Sequence, residues 1–342
     1  NIHSTINNDI RSVFEDSRQN LWISTKGGKV YLYDKEHNQL GYICNNGKVD
    51  FGTPLAGTTY CIMEDDKNNI WLGTKGDGVY KLIPIIGSSS YKIEHYLHSP
   101  DVLYSLSNNS VYSIFQDKKK RIWIGTYGGG LNLVDENNNS RFINYKNNLK
   151  NYPSQFGSQI RIIADDKYGN ICVGTTLGLI MFTSDFNSVN TLEYKSYIRT
   201  STKEKSLGGN DIYDICTTRK GETYIATFGG GVNKVSAVDK DGFPTEFISY
   251  TTTDGLPSDV ILTMVEDNKG RLWVSTEGNL TKFDTDKASF ETYSEVNRQI
   301  EGQNFSEGSR YTSKSGIVYF GYSKGFMSVD PDKVTYNTFK PY

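Results

Sequence analysis

The sequence predicts an all-β fold, one seven-bladed β-propeller of four-stranded antiparallel blades across residues 1–342, and three observations predict it. Seven similar segments recur along the chain: DSRQNLWIST, DDKNNIWLGT, DKKKRIWIGT, DKYGNICVGT, TRKGETYIAT, DNKGRLWVST and SKSGIVYFGY. Their shared anchor position falls at Trp22, Trp71, Trp123, Cys172, Tyr224, Trp273 and Tyr319, at intervals of 46 to 52 residues, the period of a blade. Turn glycines return at fixed offsets from the anchor. Aromatics make up 13% of the chain, with 24 Tyr and 16 Phe against 4 Met, a mix suited to pleated surfaces.

Each unit reads as four strands in order. Strand A is an alternating run that ends in an acidic residue or pair, as in Ile10 to Asp16, Val111 to Asp117 and Val260 to Asp267. A hairpin turn follows, with Asn68, Gly169, Gly221, Gly270 or Gly316 three residues before the anchor, residue types that accept a positive φ. Strand B carries the anchor, as in Leu272 to Thr276. A small residue two places on (Ser24, Gly73, Gly125, Gly174, Ala226, Ser275, Gly321) suits the narrow space between facing blades. A second glycine turn, such as Gly128 to Gly130 or Gly229 to Gly231, leads into strand C, Leu131 to Val134 or Val232 to Val235. Strand D is more polar and aromatic: Arg141 to Tyr145, Phe247 to Tyr250 and Phe290 to Tyr293. Blade seven lacks an obvious outer strand. Either Val334 to Phe339 or chain preceding Asn1 supplies it, and the second option implies a longer natural protein.

Composition narrows the function. Folding a chain of this size hides roughly three quarters of its unfolded surface, so no metal or disulfide staple is needed. A net charge of -2 offers no global field for nucleic acid or anionic lipid. Cys44, Cys61, Cys172 and Cys216 show no CxxC pairing and read as buried thiols. No stretch approaches 18 apolar residues, and the first residues lack a charged-then-apolar leader pattern, so the segment reads as soluble and free of membrane contact. Asp239 to Gly242 resembles the start of a calcium loop without its later Glu, and His95 with His98 has no third ligand nearby, so neither a metal nor a cofactor is expected. Acidic pairs Glu15-Asp16, Glu64-Asp65 and Glu266-Asp267 recur blade after blade at the A–B turn, which favours turn capping over glycosidase carboxylates.

The pattern Asp, Gly, Arg/Leu, Trp, Gly/Ser, Thr followed by a glycine turn, as in Asp117 to Asn132 and Asp267 to Asn279, resembles the two-component regulator propeller repeat. Asp254 to Ser258 and Ser105 to Asn109 before strand A, and Lys324 to Phe326 with Val329 to Asp332 at the end, are similar to the same family. The resemblance covers residues 8 to 332. It implies the periplasmic sensor region of a hybrid two-component system, binding oligosaccharide released from a polysaccharide and signalling to a histidine kinase elsewhere. It also implies a preceding propeller, a following immunoglobulin-like domain and a homodimeric receptor, and it carries over no catalytic residues. The alternatives are a propeller glycoside hydrolase or lyase, and a protein-interaction or dimerisation scaffold. A sialidase or lyase needs axial arginine or His/Glu clusters, whereas only Arg11 and Arg161 lie within strand A interiors.

Chain direction puts the B–C turns and D–A connections on one face. The position after the Thr of strand B changes chemistry in every blade: Lys26, Lys75, Tyr127, Thr176, Phe228, Glu277 and Ser323. With Asn8, Asn109, Gln159, Asn210, Asp211 and Asp259 from the D–A loops, these residues form the expected sugar-binding surface. Tyr and Phe stack on sugar faces there, and Lys meets sulfate or carboxylate. The competing account is that they are ordinary exposed turn residues.

Overall fold

The computed structural model describes residues 2–3, 9–138, 140–201, 205–293, 300 and 302–333. It forms seven antiparallel sheets arranged as the blades of one propeller. The innermost strands A are Ile10–Glu15, Thr59–Glu64, Val111–Gln116, Ile160–Asp165, Ile212–Thr217, Thr263–Glu266 and Phe305–Thr312. Each packs against strand A of the blades on either side, and blade seven packs back on blade one, so the ring is closed.

The anchor side chains are inter-blade core. Trp22, Trp71, Trp123, Trp273 and Tyr224 are among the largest fully buried side chains, and each joins a cluster that draws on two neighbouring blades. The small position two residues later is where the next blade presses closest. A Cβ on Gly125 would meet Ile160 Cγ2 at 2.5 Å, and one on Gly174 would meet Ile212 Cγ2 at 2.6 Å. Gly321 of blade seven faces Ile10 of blade one in the same way. At the B–C turns, Gly231 takes φ +68° with space for no side chain, since a Cβ would lie 2.0 Å from the Tyr250 carbonyl oxygen. The A–B turn positions Asn68, Gly169, Gly221, Gly270 and Gly316 all have positive φ, as the hairpin requires.

Several expectations need correction. Among the described residues, the outer strand of blade seven comes from the N-terminal side of the chain. Ile2–His3, at the start of this chain, pairs antiparallel with Gly325–Val329, so the first residues latch onto the last blade. Val334 to Phe339 and Asn8 lie outside the described residues. Blade one has five strands, because Val49–Asp50 adds to strand D at Gln39–Ile43. Strand A of blade six starts at Thr263, since Val260 instead bridges to Phe228 in the neighbouring blade's turn. Strand D of blade three is only Phe142–Ile143; Asn144 there accepts a backbone N–H from Lys146 and turns the chain away.

The acidic pairs divide their work. Asp16 Oδ1 accepts the backbone N–H groups of Arg18 and Asn20, capping its own turn, while Oδ2 accepts the Trp22 indole N–H at 2.8 Å. Asp65, Asp117 and Asp267 repeat this with Trp71, Trp123 and Trp273. The preceding glutamate reaches a different blade: Glu64 accepts from the backbone N–H and hydroxyl of Ser17 in blade one.

Candidate functional site

In five blades the register of strands A and B slips at the second residue of strand A, the mark of a β-bulge. The unpaired residues are Arg11, Tyr60, Tyr112, Arg161 and Tyr213. A bulge re-aims its side chain, and all five line a central channel of roughly 310 Å³. Blade seven breaks register more widely, between Phe305 and Arg310, with Gly308 at φ +69°, and there Glu307 lines the channel. The channel mouth is therefore a ring of two arginines, three tyrosines and one glutamate.

These groups are mutually held. The Arg11 guanidinium lies 4.1 Å from the Tyr60 ring centroid and that of Arg161 lies 4.3 Å from the Tyr213 centroid, both cation–π distances. Arg161 forms a bidentate pair with Asp211 at 2.7 and 3.1 Å. Glu307 spans the axis, with one carboxylate oxygen 3.3 Å from Arg11 and the other 3.3 Å from Arg161. Burial pushes the Tyr112 and Tyr213 phenols above their usual range, so both stay neutral hydrogen-bonding groups. Deeper in the channel, Arg310 makes a bidentate pair with Asp214, joining blade seven to blade five past blade six.

The predicted face sits around this mouth. Isolated bridges join Lys75 to Ser110, Tyr127 to Gln159 and Phe228 to Val260, so B–C turns and D–A connections do share one side. Lys26, Phe228, Glu277 and Ser323 come together in an open cavity of roughly 490 Å³ that also includes Tyr213 and Glu307 of the axial ring. Phe228 is half-exposed and packs on Tyr213 at 5.3 Å, and Tyr127 stacks on Tyr112 at 4.6 Å. Lys26 pairs with Asp9 at 2.8 Å, and Lys75 lies 5.8 Å from the Tyr60 ring centroid. Asp211 is committed to Arg161, and Gln159 accepts the Thr176 hydroxyl. Asn109, Asn210 and Asp259 hold the loops: their side chains accept the backbone N–H groups of His98, Arg199 and Thr252. The variable turn position thus supplies the rim. The bulge position, one residue into strand A, supplies the floor.

Sequence reasoning noted Arg11 and Arg161, as the only arginines within strands A, to discount a sialidase; Arg310 also lies in strand A of blade seven and lines the channel, and Tyr60, Tyr112, Tyr213 and Glu307 were missed. The available signal was the run of Arg, Tyr, Tyr, Arg and Tyr at the second residue of successive strands A. Among the described residues, no group of three or more His, Cys, Asp or Glu is arranged to hold a metal ion, and no helix is long and apolar enough to cross a membrane. His95 stacks on Tyr80 at 4.0 Å in blade two, and His98 contacts the Leu106 carbonyl, both away from the channel.

The two component regulator propeller model matches residues 4–27, 55–76, 105–128 and 255–278. Each match contains one of the four anchor tryptophans. Histidine kinase P4 of Formosa agariphila is 24% identical over 273 residues, and the chain spans 18% of that protein's length. The extracellular domain of a putative hybrid two component system from B. thetaiotaomicron is 23% identical with a TM-score of 0.72, over 95% of this chain and 39% of that one. A virginiamycin B lyase from Staphylococcus aureus shares the fold at 10% identity and a TM-score of 0.68, over 95% of this chain and 96% of that one. These structural likenesses show a common architecture, which both sensors and enzymes use. The chain is a seven-bladed propeller whose blades one, two, three and six carry the two component regulator propeller repeat.

Proposed function

We propose that this chain is the extracytoplasmic ligand-sensing propeller of a hybrid two-component receptor, that it has no catalytic activity of its own, and that it binds an oligosaccharide at the axial face. The kinase that reads the signal, a preceding propeller, a following immunoglobulin-like domain and a homodimeric, periplasmic arrangement belong to the same reading. Its support is the likeness to a histidine kinase and to the extracellular domain of a hybrid system, both much longer than this chain.

The observation that carries the binding site is the cavity where Lys26, Phe228 and Glu277 meet the axial tyrosine and glutamate. It combines a half-exposed aromatic face, a cation and a carboxylate within reach of one sugar-sized ligand. Titration calorimetry with a panel of oligosaccharides tests it. Phe228→Ala and Tyr127→Ala each weaken binding by about tenfold or more, a loss of about 1.4 kcal/mol, while the melting temperature holds. Unchanged affinity in both variants removes the face from consideration, and cleavage of any panel member by the isolated propeller overturns the non-catalytic reading.

A further inference from the structure

The axial ring contains a built-in carboxylate held by two arginines from opposite sides of the propeller. Arg11 is only 5% exposed, and its Nε is buried with no hydrogen-bond partner. Its Nη1 donates to the Glu307 backbone carbonyl and its Nη2 pairs with the Glu307 carboxylate, which leaves Nε for a further acceptor. Arg161 has Asp211 as its own bidentate partner, so its contact with Glu307 is additional to a pair already complete. Glu307 sits in the irregular stretch of blade seven and keeps about a third of its side chain exposed. It touches the channel and the rim cavity alike. With the Glu307 main chain held by Arg11, its side chain, lying across the channel between two cations, is the part that can swing out.

We propose that Glu307 occupies the place of a ligand carboxylate, and that the axial ring is a site for carboxylate-bearing rings, of which a uronic acid is the sugar case. The chemistry fits point by point. Arg11 through Nη2 and Arg161 through Nη1 present N–H groups to an anion from opposite sides, while Asp211 holds the other edge of Arg161 in place. Tyr60, Tyr112 and Tyr213 present faces and neutral hydroxyls around it. An incoming carboxylate exchanges one anion for another, so the ring's charge balance is kept. Glu307 then swings into the rim cavity beside Lys26. The idea deepens the sensing role above and rests on it only for the ligand being a sugar.

The test uses the whole chain and three probes in calorimetry: D-galacturonate, the neutral D-galactose, and benzoate as a carboxylate that is not a sugar. A ligand that must displace a resident group binds more weakly by the fraction of sites that are open. Glu307→Gln removes the competing charge and keeps the size, so galacturonate binds about tenfold tighter than to the unaltered chain. Galactose affinity does not change. Arg11→Lys, which keeps the charge but loses the fork, reverses the gain in the double variant, with melting temperatures checking the fold. Benzoate gaining as much as galacturonate makes the site one for carboxylates in general; no gain for benzoate makes it one for sugar acids. Equal galacturonate affinity in Glu307→Gln and the unaltered chain overturns the proposal, as does an equal gain for galactose. If the oligosaccharide panel binds and Phe228→Ala weakens it while Glu307→Gln changes nothing, only the plug is lost. If galacturonate gains but no oligosaccharide binds, the sensing reading falls and the anion site stands. If neither the probes nor the oligosaccharide panel bind any variant, both fall.

Discussion

At the scale of single residues, the aspartate beneath each anchor tryptophan does the most. Asp117 is 3% exposed and serves two backbone N–H groups, the Trp123 indole and the Arg121 guanidinium at once. Asp117→Ala leaves the buried Arg121 without its counter-charge, and the expected loss in urea denaturation is about 3–5 kcal/mol. Asp166 of blade four is the informative contrast. Its turn contacts to Tyr168 and Asn170 survive, but Cys172 supplies no indole N–H below it. Burial pushes the Asp166 carboxyl above its ordinary value. A raised carboxyl binds its proton more readily in the folded chain, so its contribution is favourable at low pH and is lost as pH rises through the carboxylate range. Asp166→Asn removes that slope. Thermal melts from pH 4 to 7 then show the variant gaining on the parent as pH rises; a parallel pair of curves contradicts the assignment. The thiols follow the same logic. Burial pushes Cys61 and Cys216 up to about 12 and raises Cys44 and Cys172 as well, so an aromatic disulfide reagent at pH 8 labels none of the four before denaturant is added.

At the scale of elements, the last residue of strand A ties blades one, two, three and six each to the blade before it. Glu15 accepts the backbone N–H of Lys314, Glu64 that of Ser17, Gln116 that of Asp66 and Glu266 that of Arg219. The four acceptors occupy one position of the repeat, and so do the four donors. The sequence showed acidic pairs at a turn but could not show which blade each acid serves, because a repeat looks the same whether a contact is made within a unit or to its neighbour. Glu64→Ala removes two hydrogen bonds to blade one, and the expected cost is about 1–2 kcal/mol; Glu64→Gln keeps the acceptor and recovers most of it. Equal losses in the two variants exclude the inter-blade bond as the cause.

At the scale of the whole molecule, what was legible is what repeats. The anchors, the small residues two places on and the turn glycines could be aligned because seven copies meet the same packing demand, and the blade count followed. What breaks the repeat was hidden. A bulge keeps the sequence pattern and changes only which way one side chain points, so the axial ring could not be told from the strand that carries it. The seam was hidden too: Ile2–His3 completes blade seven through backbone pairing, which any extended residues can supply. The same holds for the contact between blades five and seven. Strand A of blade six is shorter than that of either neighbour, and Arg310 reaches past it to Asp214, which is 1% exposed and also accepts the Met264 N–H. Burial works against both charges, and the bidentate pair offsets that cost only while both partners are present. Arg310→Met strands a buried carboxylate and lowers stability by about 3–5 kcal/mol. Asp214→Asn in the same chain removes the stranded charge while its amide oxygen still accepts from Met264. The double variant therefore recovers a large part of the loss in urea denaturation. Additive losses in the two variants would mean that the ring closes at blade six without this pair.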